Sequence, residues 1–288
     1  MIPKIIHYCW FGGNPLPDEL LTYIDGWKKM FPEFEIKCWN ETTFDISTSL
    51  PFVQEAYQVK KYAFVADYVR MWAMYQYGGI YMDTDIQVLK RFDEFLNYRF
   101  FTAMEYHGDN VRINHVEEKL TSQGYKKNKE DVIIDICIES SIFAAEKNHP
   151  FIKDCLDYYI GKHFVLPDGT YYDKIIVPVI MALEAEKYGF RYVNEFQTLK
   201  EDMHLFPDEY FTHPSKQTEN TYALHMVKNS WKKMNFKQRI YAKLAQMKVI
   251  KNIYNKLEQI PLIQKAYKTS AYKRNKSNYR PSAIFAQY

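Results

Sequence analysis

A long helical pattern in this chain runs into two glycines, continues as a short apolar strand and closes on two aspartates one residue apart, Gly78-Gly79-Ile80-Tyr81-Met82-Asp83-Thr84-Asp85. Residues i and i+2 of a strand point to one side. Extended backbone carried through to Asp85 therefore predicts that Asp83 and Asp85 project together. Neighbouring carboxylates repel, and both ionise readily only when a cation is shared between them. The pair suits a hard divalent metal with oxygen ligands, often held jointly with the phosphates of a substrate.

What precedes the pair narrows the arrangement. Glu55 to Tyr77 reads as one long helix, or as two broken near Lys60-Lys61, with Val65, Val69, Trp72 and Met74 supplying core. Asp67 and Arg70 lie three apart and share a helix face. They form either a surface ion pair of little worth or a polar pair facing the cleft of Asp83. Further upstream, Lys4–Trp10 reads as a strand, Pro17–Met30 as a helix and Phe34–Trp39 as a second strand. This β-α-β opening is that of an α/β sheet, whose ligands sit at the carboxyl ends of the strands. Trp10 and Gly12-Gly13 fall at that edge. The indole of Trp10 either stacks on a base or belongs to the margin of the core.

The remainder alternates short elements. Ile86–Leu89 and Phe100–Met104 read as strands, Phe92–Leu96 as a short helix, and 107–131 as a polar, basic, mobile loop over or beside the site, with room for a short helix. Val132–Ala145 reads as two strands interrupted near Glu139-Ser140-Ser141. Helices are expected from Pro150 to Tyr159, behind Asn148-His149, and from Val177 to Tyr188, ended by Gly189. Leu205–Phe211 reads as irregular extended chain and Tyr222–Met226 as a last strand. His225 in that strand is either a third, imidazole ligand for a metal or a structural histidine.

Charge divides the chain. From Lys232 to Tyr288 there are 14 basic residues against one acidic, net +13; the preceding 231 residues carry 24 basic and 34 acidic, net −10. Phe236, Ile240, Leu244 and Met247 mark one face of a basic amphipathic helix in this tail. Such a helix binds an anionic membrane surface, or packs on the domain with its lysines in water. Nothing resembles a nucleic-acid-binding fold, so no nucleic acid is expected as partner. No apolar run approaches the roughly 18 residues of a membrane span, and mean hydropathy is −0.44. Four unpaired cysteines and an N-terminus that enters a strand directly fit a cytoplasmic location. Walker A, G-x-G-x-x-G, H-E-x-x-H and G-x-S-x-G patterns are absent, which argues against kinase, dehydrogenase, zinc-protease and α/β-hydrolase classes.

The ordered set Ile2–Trp10, Ala66-Asp67-Tyr68-Val69-Arg70 and Tyr77–Asp85 resembles the family-32 glycosyltransferases with a sugar-binding DXD motif, which include bacterial capsule and O-antigen enzymes and yeast mannosyltransferases, with the clostridial glucosylating toxins more distant. The likeness covers about the first 90 residues and returns weakly at Asn148-His149-Pro150 and from His225 to Trp231. It implies a GT-A fold, a Rossmann-like mixed sheet flanked by helices, over residues 1–231, with 232–288 a basic helical extension. It also implies a nucleotide-sugar donor, such as a UDP-hexose, a Mn²⁺ or Mg²⁺ ion, and retention of anomeric configuration.

Carried over residue by residue, Trp10 would stack on the base, with Tyr8 beside it in the donor site. Asp67 and Arg70 would hold the hydroxyls of the donor sugar. Asp83 would hold ribose, sugar and metal, Asp85 and His225 would complete the metal ligands, and Ser230 with Trp231 would lie over the diphosphate. Ser140 stands where many relatives carry Asn, leaving the roles of Ser140 and Glu139 open. The expected acceptor is a lipid-linked oligosaccharide of surface polysaccharide synthesis, met on the inner face of the cell membrane. The alternatives are a protein acceptor, or a metal-dependent nucleotidyl or phosphoryl transferase, which would also use paired aspartates.

Overall fold

A computed structural model describes residues 1–227. In chain order the strands are β1 (Ile5–Cys9), β2 (Glu35–Trp39), β3 (Gly79–Met82), β4 (Ile86–Val88), β5 (Phe100–Tyr106), β6 (Ile136–Ile138), β7 (Ile142–Ala145), β8 (Gln197–Leu199), β9 (Met203–Phe206), β10 (Phe211–Thr212) and β11 (Ala223–His225). The α-helices are α1 (Asp18–Met30), α2 (Pro51–Gln58), α3 (Tyr62–Tyr77), α4 (Gly108–Ile113), α5 (Pro150–Asp157) and α6 (Val177–Ala185). The α/β class expected from the opening elements is observed, as a mixed sheet with helices. Ser230, Trp231, the boundary at 231/232 and the basic tail lie outside the described residues.

The large sheet runs in the order β2-β1-β3-β7-β5-β9-β8, with β6 paired to β5. β2, β1 and β3 are parallel, whereas β7 is antiparallel to both β3 and β5. From β1 the chain passes to β2 on one side and from β2 to β3 on the other. The carboxyl ends of β1 and β3 therefore flank a point where the strand order reverses, the place where open α/β sheets bind ligands. Side-chain alternation fills a core on each face: Ile80 and Met82 pack with Ile24 and Trp27 of α1, while Tyr81 packs with Val65, Val69 and Met74 of α3.

Local chemistry explains the helices nearest this point. α1 carries Asp18 and Glu19 in its first turn and Lys28 and Lys29 in its last, the signs that complement a helix dipole. Its buried Trp27 donates from the indole nitrogen to the Ile86 carbonyl at 2.8 Å, tying the helix to the strand just beyond the two aspartates. Of the two readings of Glu55 to Tyr77, the broken one is observed: Lys60 takes a left-handed φ of 60° between α2 and α3.

The helix-to-strand corner is sterically committed to glycine. Gly78 and Gly79 have φ of 65° and 119°, and a Cβ at either would come within 2.5 Å of backbone, the Lys147 nitrogen and the Ile5 carbonyl respectively. His7, fully buried, braces the same corner. The Trp39 indole donates to its Nδ1 at 3.1 Å, which leaves Nε2 as the donor to the Gly78 carbonyl at 2.8 Å. Burial lowers its pKa to about 4, so the imidazole serves as a neutral bridge from β2 through β1 to the corner.

Two sequence expectations change. The strand ends at Met82, and Asp83-Thr84-Asp85 is a turn closed by the Ile86 amide on the Asp83 carbonyl at 3.1 Å. Leu205–Phe211 is not irregular throughout, since β9 ends within it, β10 begins within it and β8 precedes them. The segment 107–131 contains the short helix its reading allowed, α4, together with a 3-10 turn at Val116–Lys119. The unforeseen elements are short, so little periodicity announces them.

Candidate functional site

The turn after β3 gathers side chains from four directions. Two residues before Asp83, buried Tyr81 donates its hydroxyl to the Asp83 carboxylate at 2.7 Å. From α3, Arg70 reaches the same oxygen at 3.5 Å and Asp67 at 3.0 Å. Its guanidinium lies over the Tyr81 ring, 4.7 Å from the centroid. The β6–β7 connection closes the third side: Arg70 Nη1 donates to the Ser140 carbonyl at 2.9 Å, and the Asp83 amide donates to the Ser141 carbonyl at 2.7 Å. Arg70 is therefore buried but shared among two carboxylates and a carbonyl, which offsets the desolvation that an isolated buried charge would suffer.

The fourth side comes from the small sheet β10-β11-β4. β11 runs antiparallel to β4 with His225 opposite Ile86, and the Met226 amide donates to the Asp85 carbonyl at 3.1 Å. This pairing brings a residue 140 positions downstream to the turn and sets His225 Nε2 3.5 Å from Asp85 Oδ1. Ligand atoms of Asp83, Asp85 and His225 all lie within 4.8 Å of one another. Two carboxylates and an imidazole at this spacing fit Mn²⁺ or Mg²⁺, oxygen-seeking ions of which the former also accepts nitrogen.

The electrostatics follow the geometry. Burial raises the Asp67 carboxyl to about 6, against the opposing pull of Arg70 and with added repulsion from Asp83. Glu139 is also pushed up, first by burial and then by Glu105, while its Oε1 accepts the Ser141 amide at 2.7 Å. That bond shapes the loop presenting the Ser140 and Ser141 carbonyls. Burial works against charge on His225, yet its hydrogen bond to Asp85 and the nearby Glu139 and Asp83 raise it to about 9.

The structure thus brings Asp67 and Arg70 of α3, Ser140 of the β6–β7 connection and His225 of β11 together around Asp83 and Asp85, which lie on a turn rather than a strand. Trp10 begins the loop after β1: its amide donates to the Trp39 carbonyl at 2.8 Å and its indole to the Asn14 carbonyl at 2.7 Å. Cys9, immediately before it, lies in the field of Arg70 and Asp83. Tyr8 is placed against Trp27, edge to face at 6.1 Å, rather than in the Arg70 network. Sequence reasoning missed the roles of Tyr81 and His7. For Tyr81 the i, i+2 relation to Asp83 was an available signal; for His7 none was, because its partners come from two other segments.

Residues 17–101 match the family described as "Glycosyltransferase sugar-binding region containing DXD motif". That stretch, from the start of α1 to β5, is therefore a glycosyltransferase sugar-binding region whose DXD motif is Asp83-Thr84-Asp85. The chain is 32% identical over 100 residues to inositol phosphoceramide mannosyltransferase 3 of Schizosaccharomyces pombe, covering 34% of this chain and 28% of the relative. It is 32% identical over 128 residues to an uncharacterized glycosyltransferase of Acanthamoeba polyphaga mimivirus, covering 43% and 51%. The chain thus spans about half or less of the length of these relatives. Among solved structures it is similar to the PaToxG glycosyltransferase (17% identity, TM-score 0.42, 65% of this chain and 69% of the other) and the galactosyltransferase LgtC (10%, 0.41, 77% and 86%).

Proposed function

We propose that this chain is a metal-dependent, retaining glycosyltransferase of GT-A type. It moves a hexosyl unit from a nucleoside-diphosphate sugar, a UDP-hexose in the first instance, to a sugar hydroxyl. The observation that carries this reading is the joining of the Asp67–Arg70–Asp83 network to the Asp85–His225 pair at the strand-order reversal. The network offers a charged donor fork and carboxylate acceptors for sugar hydroxyls, and the pair offers hard ligands for a cation. A nucleotidyl or phosphoryl transferase needs the second group but not the first.

Asp83, Asp85 and His225 would hold the ion, which when bound stabilises negative charge on a diphosphate leaving group. The protein's own contribution is orientation. Arg70, braced on Tyr81 and the Ser140 carbonyl, fixes Asp67 and Asp83 at one wall, so the sugar meets preset partners without reorganisation. Glu139 is engaged by the Ser141 amide, so we favour same-face attack by the acceptor over a carboxylate nucleophile.

The proposed acceptor is a lipid-linked oligosaccharide in surface polysaccharide synthesis, reached at the inner face of the membrane. Its support is the net charge of +13 in residues 232–288, since each basic residue near an anionic surface contributes about 1 kcal/mol. No helix among the described residues is long and apolar enough to cross a membrane. Incubating the full chain with a panel of nucleotide sugars, with and without Mn²⁺, tests the reaction. Release of a nucleoside diphosphate that depends on metal and on Asp85 is expected; release of pyrophosphate instead would replace this reading with nucleotidyl transfer.

A further inference from the structure

Outside the Arg70 network, one acidic side chain reaches into the loop at the carboxyl end of β1. Glu41 lies just beyond β2, on a turn pinned by Asn40, whose side chain accepts the Thr42 amide at 2.9 Å and whose carbonyl accepts the Phe44 amide at 2.9 Å. From this platform Glu41 Oε1 accepts the Gly12 amide at 2.6 Å and the Tyr57 hydroxyl at 3.1 Å. Tyr57 stands beside Tyr62, with ring centroids 5.4 Å apart. The Tyr62 ring fills the space beneath Gly12, where a Cβ would come within 2.6 Å of it.

The loop needs such a hold. Gly12 and Gly13 have φ of 106° and 69°, and successive glycines select no single shape by themselves. The Trp10 ring at the start of the loop is anchored by the Asn14 carbonyl at its far end, so any change in the Gly12-Gly13 path moves that anchor. A short hydrogen bond from a backbone amide to a carboxylate is among the stronger neutral-to-charged contacts, and it falls at the centre of the loop.

We infer that Glu41, supported by Tyr57, is a positioning residue that presets the Trp10–Asn14 loop to receive the nucleoside of the donor. This rests on the proposed transfer reaction, in which that loop borders the donor site. Glu41 touches neither the sugar-holding wall nor the metal ligands in this arrangement, so its removal should weaken donor binding and leave the chemical step alone.

The test uses the full chain with Glu41→Ala, Glu41→Gln and Tyr57→Phe. Donor KM and kcat are measured with UDP-hexose and Mn²⁺, and Gly12 amide exchange with deuterium. Glu41→Ala should raise donor KM about tenfold, with kcat changed less than about threefold, and should speed Gly12 exchange. Glu41→Gln keeps an oxygen acceptor for both donors and should return KM to within about threefold of the unmodified chain, as should Tyr57→Phe. Faster Gly12 exchange with unaltered KM in Glu41→Ala, or a loss confined to kcat, overturns the inference while leaving the transfer reading intact. An unmodified chain that turns over no nucleotide sugar instead removes the transfer reading and this inference together.

Discussion

The two flanks of Asp83 are built differently. On one, Tyr81, Arg70, Asp67 and the Ser140 and Ser141 carbonyls interlock through contacts mostly at 2.7–3.0 Å, under a guanidinium that is almost wholly buried. On the other, Asp85 and His225 face each other across 3.5 Å, and the His225 side chain keeps 23% of its exposure. The first flank is a closed set of mutual contacts and is suited to holding hydroxyls in fixed places. The second brings ligand atoms of Asp83, Asp85 and His225 within 4.8 Å of one another and suits a charge supplied from outside. On the proposed reading, fixed dipoles and a divalent ion do separate work in a low-dielectric setting, and each flank is suited to one of them.

That division makes the comparison breakable. Asp85→Ala should cost the most activity, on the order of a thousandfold or more in transfer, with little change in thermal unfolding. Chelation should reproduce the loss and added Mn²⁺ should restore it only where Asp85 is present. A variant that is inactive because it has unfolded would erase the distinction between flanks, so circular dichroism accompanies the assay.

Arg70→Ala should behave oppositely and appear in stability as well. It leaves Asp67 and Asp83 without their shared partner in a buried setting, a change worth about 3 kcal/mol in denaturant unfolding. Arg70→Lys should rescue little of it, because an ammonium cannot reproduce the fork between two carboxylates and a carbonyl. Equal stability of Arg70→Ala and the unmodified chain would show that the wall is not preset.

A smaller effect is expected from Tyr81→Phe. It removes one hydrogen bond to a carboxylate and should lower kcat/KM about tenfold, with the ring still beneath Arg70. The smallest effect concerns pH. Asp67 has its carboxyl raised from 3.8 to about 6. Donor use should rise as pH passes upward through about 6 and Asp67 ionises, and Asp67→Asn should abolish that inflection. Stability has the opposite sign: between 3.8 and about 6 the folded state binds more protons than the unfolded state at this group, so its contribution to stability falls as pH rises through that window. Urea titrations at pH 4 and pH 7 on both chains would read this difference.

Much of the site is legible in the order and spacing of its residues. Asp67 and Arg70 fall on one helix face by their spacing, and Gly78-Gly79 marks a corner leading to Asp83. Both inferences are local, depending on periodicities of a few residues. The expectation of a strand through Asp85 fails because a turn and a strand bring such a pair together about equally well, and Thr84 does not decide between them. Glu41, His7 and His225 find their partners 29, 71 and 140 residues away, and no local pattern encodes such a distance.

The sequence by itself determined the alternation of strands and helices, the glycine corner and the types of side chain available to a donor and a cation. These follow from hydrophobic period, backbone freedom and acid–base chemistry, which belong to short stretches of chain. Only the tertiary structure decided that Arg70 is buried between two aspartates rather than paired at the surface, and that β11 returns beside β4 to set His225 against Asp85. Burial and strand register are properties of how distant segments pack, and they turn a set of polar residues into two flanks of one site.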